Sequence, residues 1–147
     1  KSSLKIGTET RCANMKRIVF ENNDIIEADR VMGINVRDKA TVDGVLFKNN
    51  RSEYFYPDRR QMGMNIYITR REDDQPWTGK IQNILIENCS FEQQFPKKIQ
   101  ISRLVDYTEP KDIDVTFKNL TIAGKKINFL DPEYFNVSKC NGTIQFD

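Results

Sequence analysis

Apolar and polar positions alternate along this chain in short runs, and two alternating patterns recur. The first is apolar-x-apolar-x-Asn, at Ile18-Val19-Phe20-Glu21-Asn22, Val45-Leu46-Phe47-Lys48-Asn49, Ile84-Leu85-Ile86-Glu87-Asn88 and Val115-Thr116-Phe117-Lys118-Asn119. Its asparagines, at 22, 49, 88 and 119, lie 27, 39 and 31 residues apart. The second is an apolar-polar-apolar triplet, at Leu4-Lys5-Ile6, Ile34-Asn35-Val36, Met64-Asn65-Ile66, Ile99-Gln100-Ile101 and Ile127-Asn128-Phe129, whose centres step by 30, 30, 35 and 28. Two interleaved ladders with one shared step indicate a structural repeat of about 30 residues. Each run has period two and is rich in Ile, Val and Phe, which predicts strands, with Asn, Asp, Gly and Lys clusters as turns.

Repeats of this length carrying short strands predict an all-β fold. The architecture expected is a right-handed, single-stranded parallel β-helix, a solenoid of about five coils with a C-terminal cap. Residues 1–147 read as a single domain, the C-terminal fragment of a larger β-helix, with coils over 1–119 and the last strand and cap over 120–147. The Gly-centred segment Leu120 to Ile127 signals a hairpin. Leu4 and Ile6 begin a strand with no cap before them, so the first coil is expected to be covered by further coils or by a second copy. In this reading Leu4/Ile6, Val36, Ile66, Ile101 and Phe129 stack in register inside the core, and the asparagines of the first ladder bond to one another at equivalent turns. A lectin-like β-sandwich is the alternative for an all-β chain.

Composition narrows the chemistry. The 147 residues contain no His, which removes triads and zinc or iron sites built on imidazole. Three cysteines, Cys12, Cys89 and Cys140, form no metal-ligand spacing, and an odd count leaves a thiol unpaired. No metal and no cofactor is called for. The net charge of +2 gives a nucleic-acid partner no support, and no apolar run approaches a membrane span. The Asn-x-Ser/Thr matches, such as Asn88-Cys89-Ser90, are by-products of turn chemistry.

Two sets of residues are candidates for binding. The outward positions of the triplet sheet place Lys5, Asn35, Asn65, Gln100 and Asn128 in one row, and Gly7, Arg37 and Tyr67 in the next, with Glu9 and Thr69 beyond. Such a face suits an extended polymer. Flanking the Met64–Ile66 strand, the enlarged loops 51–60 and 70–79 mix aromatics with arginine, and five Arg between positions 51 and 71 against Glu53 and Asp58 give a local charge of +3. Arg59, Arg60 and Trp77 would form the rim, through stacking on sugar rings and forked contact with carboxylates or sulfates.

The stretch Leu4-Lys5-Ile6-Gly7-Thr8-Glu9-Thr10 resembles the Ile-Gly-Ser-Glu segment of polygalacturonase-like glycoside hydrolases, the family 28 group of pectin-degrading parallel β-helices. The resemblance continues at Met15–Asn22, Asp29–Arg37 and Gly79–Asn88. It implies a secreted, periplasmic or surface location and a glycoside hydrolase groove for an acidic polysaccharide. The family's Gly-x-Arg-Ile-Lys element aligns with Gly33 to Arg37, where Arg37 keeps the second positive charge and Asn35 replaces the first. The family's groove tyrosine corresponds to Tyr67. Its Gly-His-Gly element is absent, and its catalytic aspartates fall on coils outside this sequence, so no residue here takes a catalytic role by motif. Glu9 and Asp29 are the carboxylates nearest the groove. A non-catalytic polysaccharide-binding or surface-assembly module is the alternative function.

Overall fold

The computed structural model describes residues 2–10, 12–55, 62–69, 79–94, 97–103 and 112–147. These form an all-β protein of three five-stranded sheets, with no helix among the described residues. The first sheet contains β1 (Ser2–Thr10), β4 (Arg30–Arg37), β7 (Met62–Thr69), β10 (Ile99–Arg103) and β14 (Phe135–Ser138). The second contains β2 (Asn14–Glu21), β5 (Thr41–Lys48), β8 (Lys80–Glu87), β11 (Ile113–Lys118) and β15 (Ile144–Phe146). The third contains β3 (Asp24–Ala28), β6 (Arg51–Phe55), β9 (Ser90–Phe91), β12 (Leu120–Ile122) and β13 (Lys125–Ile127). The chain visits first, second and third sheet in that order four times, then β14 and β15 rejoin the first two. Every pairing within the sheets is parallel except that of β12 with β13, which forms a hairpin around Ala123 and Gly124.

The period of two decides which side chains enter the core. Ile34, Val36, Met64, Ile66, Ile68, Ile99 and Ile101 of the first sheet are fully buried, as are Val45, Phe47, Ile84, Ile86, Val115 and Phe117 of the second. Burying each such side chain contributes roughly 1.5–3 kcal/mol, which offsets the ordering of short strands that could not hold alone. In-register stacking also puts like on like: Phe20 lies on Phe47 with ring centroids 5.0 Å apart, and Phe117 on Phe146 at 5.1 Å.

The bend between second and third sheets is made twice over by asparagine. Asn22, Asn49, Asn88 and Asn119 all adopt left-handed backbone, with φ of 58°, 52°, 51° and 54°. Asparagine tolerates this conformation better than other residues with a side chain. Their exposed amides form a ladder: Asn49 Nδ2 donates to Asn22 Oδ1 at 3.0 Å, Asn88 to Asn49 at 3.2 Å, and Asn119 to Asn88 at 3.0 Å. One residue on, a second column points inward. Asn50, 1% exposed, donates from Nδ2 to the Phe20 carbonyl at 2.9 Å and accepts the Asn23 backbone N–H at 3.1 Å. Above it the Cys89 thiol bonds the Phe47 carbonyl at 3.5 Å, and Leu120 ends the column with a fully buried apolar side chain.

The structure corrects three expectations. Asn35 does not stand beside Asn65: Gly33 pairs with Asn65, Asn35 with Tyr67 and Arg37 with Thr69, a displacement of two residues. A shift of two preserves which side chains face inward, so alternation alone cannot detect it. Phe129 is 58% exposed and outside any strand, and Asn128 is absent from the outward row, because Ile127 belongs to the hairpin of the third sheet. The column is Ile6, Ile34, Ile66, Ile101 and Val137, with β14 as the fifth strand, and Val137, at its end, is 38% exposed. Finally, Arg51 to Phe55 is strand β6, paired with β3, and no part of an enlarged loop.

Candidate functional site

Outward-facing residues of a sheet are normally the exposed ones. On the first sheet several are not. Asn35 is 1% exposed, Thr69 2%, and Asn65 and Ser102 7%, although none points into the apolar core. Register fixes their arrangement: Lys5, Gly33, Asn65, Gln100 and Asn136 form one row across the five strands, and Asn35, Tyr67, Ser102 and Ser138 a second. Arg37 and Thr69 form a third.

Three of the residues expected from sequence meet at one atom. With the Asn35 amide oriented to satisfy both its ends, its oxygen accepts from the Tyr67 hydroxyl at 3.1 Å and from the Lys5 ammonium at 3.2 Å, while its nitrogen donates to the Ile34 carbonyl at 3.3 Å. A glycine shapes the approach of β1 to β4. At Gly33 a Cβ would make only ordinary contact, 3.6 Å from Lys5 Cγ. Gly7, with φ of +82°, bends β1 so closely over β4 that a Cβ would stand 2.2 Å from the Asn35 carbonyl oxygen. This is the physical reason for glycine within Ile6-Gly7-Thr8.

The electrostatics of the cluster are cationic. Burial first, and then the guanidinium groups of Arg30 and Arg37, push the Lys5 ammonium below the ordinary lysine range. On β7, one strand beyond β4, two buried side-chain atoms have nothing to bond among the described residues, Asn65 Oδ1 and Thr69 Oγ1. Leaving a buried polar atom unpaired costs about 1–3 kcal/mol, so each is a local expense in stability on this face.

Towards the C-terminal end the face stays polar and opens. Asn136 Nδ2 donates to Gln100 Oε1 at 3.0 Å, and Gln100 Nε2 reaches Ser138 Oγ at 3.5 Å. Asn136 also borders a hollow of about 660 Å³ formed with Lys98, Leu130, Pro132, Phe135 and Val137. A smaller one of about 280 Å³ joins Gln100 and Asn136 to Met62, Lys97 and Lys98.

Lys5, Asn35 and Tyr67 are thus brought together, with Asn65 and Arg37 on the flanking rows. Arg59, Arg60 and Trp77 lie outside the described residues, as does the side chain of Glu9. Asp29 accepts the Met62 backbone N–H through its carbonyl at 3.1 Å. Ser102 and Arg30 were not anticipated. Ser102 follows Gln100 by two on β10 and was legible by the same alternation; Arg30 shows itself only through the field it exerts on Lys5. Among the described residues no group of three or more His, Cys, Asp or Glu is placed to hold a metal ion, and no helix is long and apolar enough to cross a membrane. Cys12, Cys89 and Cys140 are free thiols. No protein-family model, no curated protein and no solved structure matches this chain.

Proposed function

We propose that the three sheets are the walls of a right-handed parallel β-helix, and that the outer face of the first sheet binds an extended acidic polysaccharide outside the cell or at its surface. The supporting observation is the convergence of Lys5 and Tyr67 on Asn35, on the same face as Asn65 Oδ1 and Thr69 Oγ1, which have no partner among the described residues. Rows repeat across neighbouring strands at about 4.8 Å, so polar groups recur along the stacking direction as a polymer requires. Arg37, at the edge of the cluster, provides a planar fork for a carboxylate or sulfate. A groove of this composition agrees with the resemblance of the chain to polygalacturonases. The reading assigns binding to this face.

Calorimetric titration with an oligogalacturonide, a sulfated galactan oligomer and a neutral dextran oligomer tests this reading. An anionic oligomer is expected to bind and dextran not. Arg37→Ala is expected to weaken binding at least tenfold with no change in melting temperature. Binding of neither anionic oligomer, or equal binding with Arg37→Ala, contradicts it.

A further inference from the structure

We propose that the Lys5, Tyr67 and Arg37 cluster cleaves uronic-acid glycans by β-elimination, with Lys5 as general base and Tyr67 as general acid. This rests on the binding reading above and adds a reaction to it. The Lys5 ammonium nitrogen and the Tyr67 hydroxyl both lie within 3.2 Å of the Asn35 side-chain oxygen, so one amide fixes the two groups relative to each other. Asn35 is itself 1% exposed and anchored to the Ile34 carbonyl, which makes it a positioning residue that cannot swing away. Arg37 stands two residues further along β4 on the same face, about 6.6 Å away along the strand, a spacing on the scale of a sugar ring.

The chemistry balances without a co-reactant. In a uronate the hydrogen on C5 is adjacent to the carboxylate, and a guanidinium paired with that carboxylate stabilises the charge that develops when the hydrogen leaves. Neutral Lys5 takes the C5 proton and becomes an ammonium. The electron pair then forms the C4–C5 double bond as the C4–O bond breaks, and the departing oxygen takes the proton of the Tyr67 hydroxyl. Solvent returns the proton from Lys5 to Tyr67. A lysine serves as base only when part of it is neutral, and burial beside Arg30 and Arg37 acts in that direction.

The test uses the whole chain with an oligogalacturonide, following both the ultraviolet absorbance of the unsaturated product and the release of reducing ends. Both are expected to rise together. Lys5→Arg keeps the positive charge but cannot be neutral near pH 7. It is expected to lose at least a hundredfold in cleavage rate at saturating oligomer, a loss in kcat that weaker binding does not produce. Tyr67→Phe is expected to lose kcat similarly. Binding without absorbance overturns the elimination and leaves the binding reading standing. Reducing ends without absorbance, or full activity in Lys5→Arg, overturns it as well. Absence of binding overturns both.

Discussion

The outer faces of the first and second sheets are built by the same parallel stacking and have opposite characters. On the second, the row Glu21, Lys48, Glu87, Lys118 alternates in sign across four strands, with Glu87 3.6 Å from Lys48 and 2.9 Å from Lys118. Lys16 faces Asp43 at 3.6 Å, and Val19 is 56% exposed. On the first, most of the outward residues are uncharged amides and hydroxyls, several are nearly inaccessible, and two lack partners among the described residues. In-register stacking makes neighbours of equivalent positions, so like charges in a row would repel, and alternation is the ordinary remedy. The second face uses it and stays open to water. The first holds two unsatisfied groups at a cost in stability, as does the buried Ser52 hydroxyl of the third sheet, and it is their place on an outward face that sets the first apart from a solvated wall.

Breaking the inner layer should erase the difference altogether. Val36→Asp buries an unpaired carboxylate beneath the first face and is expected to cost about 3–5 kcal/mol, read as a collapse of the denaturation midpoint; an unchanged midpoint would contradict the inward placement of Val36. Gly7→Ala attacks the first face selectively. The left-handed backbone alone costs about 1–2 kcal/mol, and the clash with the Asn35 carbonyl adds to it, so both stability and oligomer binding should fall.

The two asparagine columns at the bend offer a smaller contrast of the same kind. Asn50→Ala strands the Phe20 carbonyl and the Asn23 N–H and is expected to cost about 1–3 kcal/mol. Asn49→Gly keeps the left-handed turn and cuts only the exposed ladder, with an expected loss of a few tenths of a kcal/mol. Equal losses in urea denaturation would show that burial does not separate the columns.

The smallest effect belongs to the second face. Its two cations hold the Glu87 carboxyl below the usual carboxylate range, with Lys118 the larger influence, and Glu87 in turn raises Lys118. The carboxylate therefore adds stability above its unfolded pKa, lost as pH falls through the lower folded value. Lys118 adds stability below its own unfolded pKa, lost as pH rises through the higher folded value. Glu87→Gln should flatten the acid limb of stability against pH and reduce its salt dependence, leaving binding on the first face untouched. An acid limb identical to that of the parent chain would show the row to be electrostatically idle.

Much of this was legible in the sequence where physics repeats a residue type. The asparagine ladder announced itself because a left-handed turn selects Asn each time, and the runs ending in it are β2, β5, β8 and β11. The triplets gave the first-sheet strands up to β10 and the correct inward parity. Of the third sheet only the hairpin of β12 and β13 was legible; its earlier strands were missed, since β9 is two residues long and β3 buries only Ile25 and Ala28, too few positions for a period to emerge. Lys5, Asn35 and Tyr67 could be named individually. Their convergence could not, because it depends on the displacement of two residues between β4 and β7, to which alternation is blind.

Chemical-shift mapping of the isotope-labelled chain titrated with an oligogalacturonide puts the contrast between the faces to its most direct test. The expected result is a set of perturbed amides and side chains on β1, β4 and β7 that centres on Lys5, Asn35, Arg37, Asn65 and Tyr67, with Lys16, Val19, Lys48 and Lys118 unmoved. Perturbations that centre on the second sheet, or that spread evenly over both faces, would contradict the assignment of binding to the first.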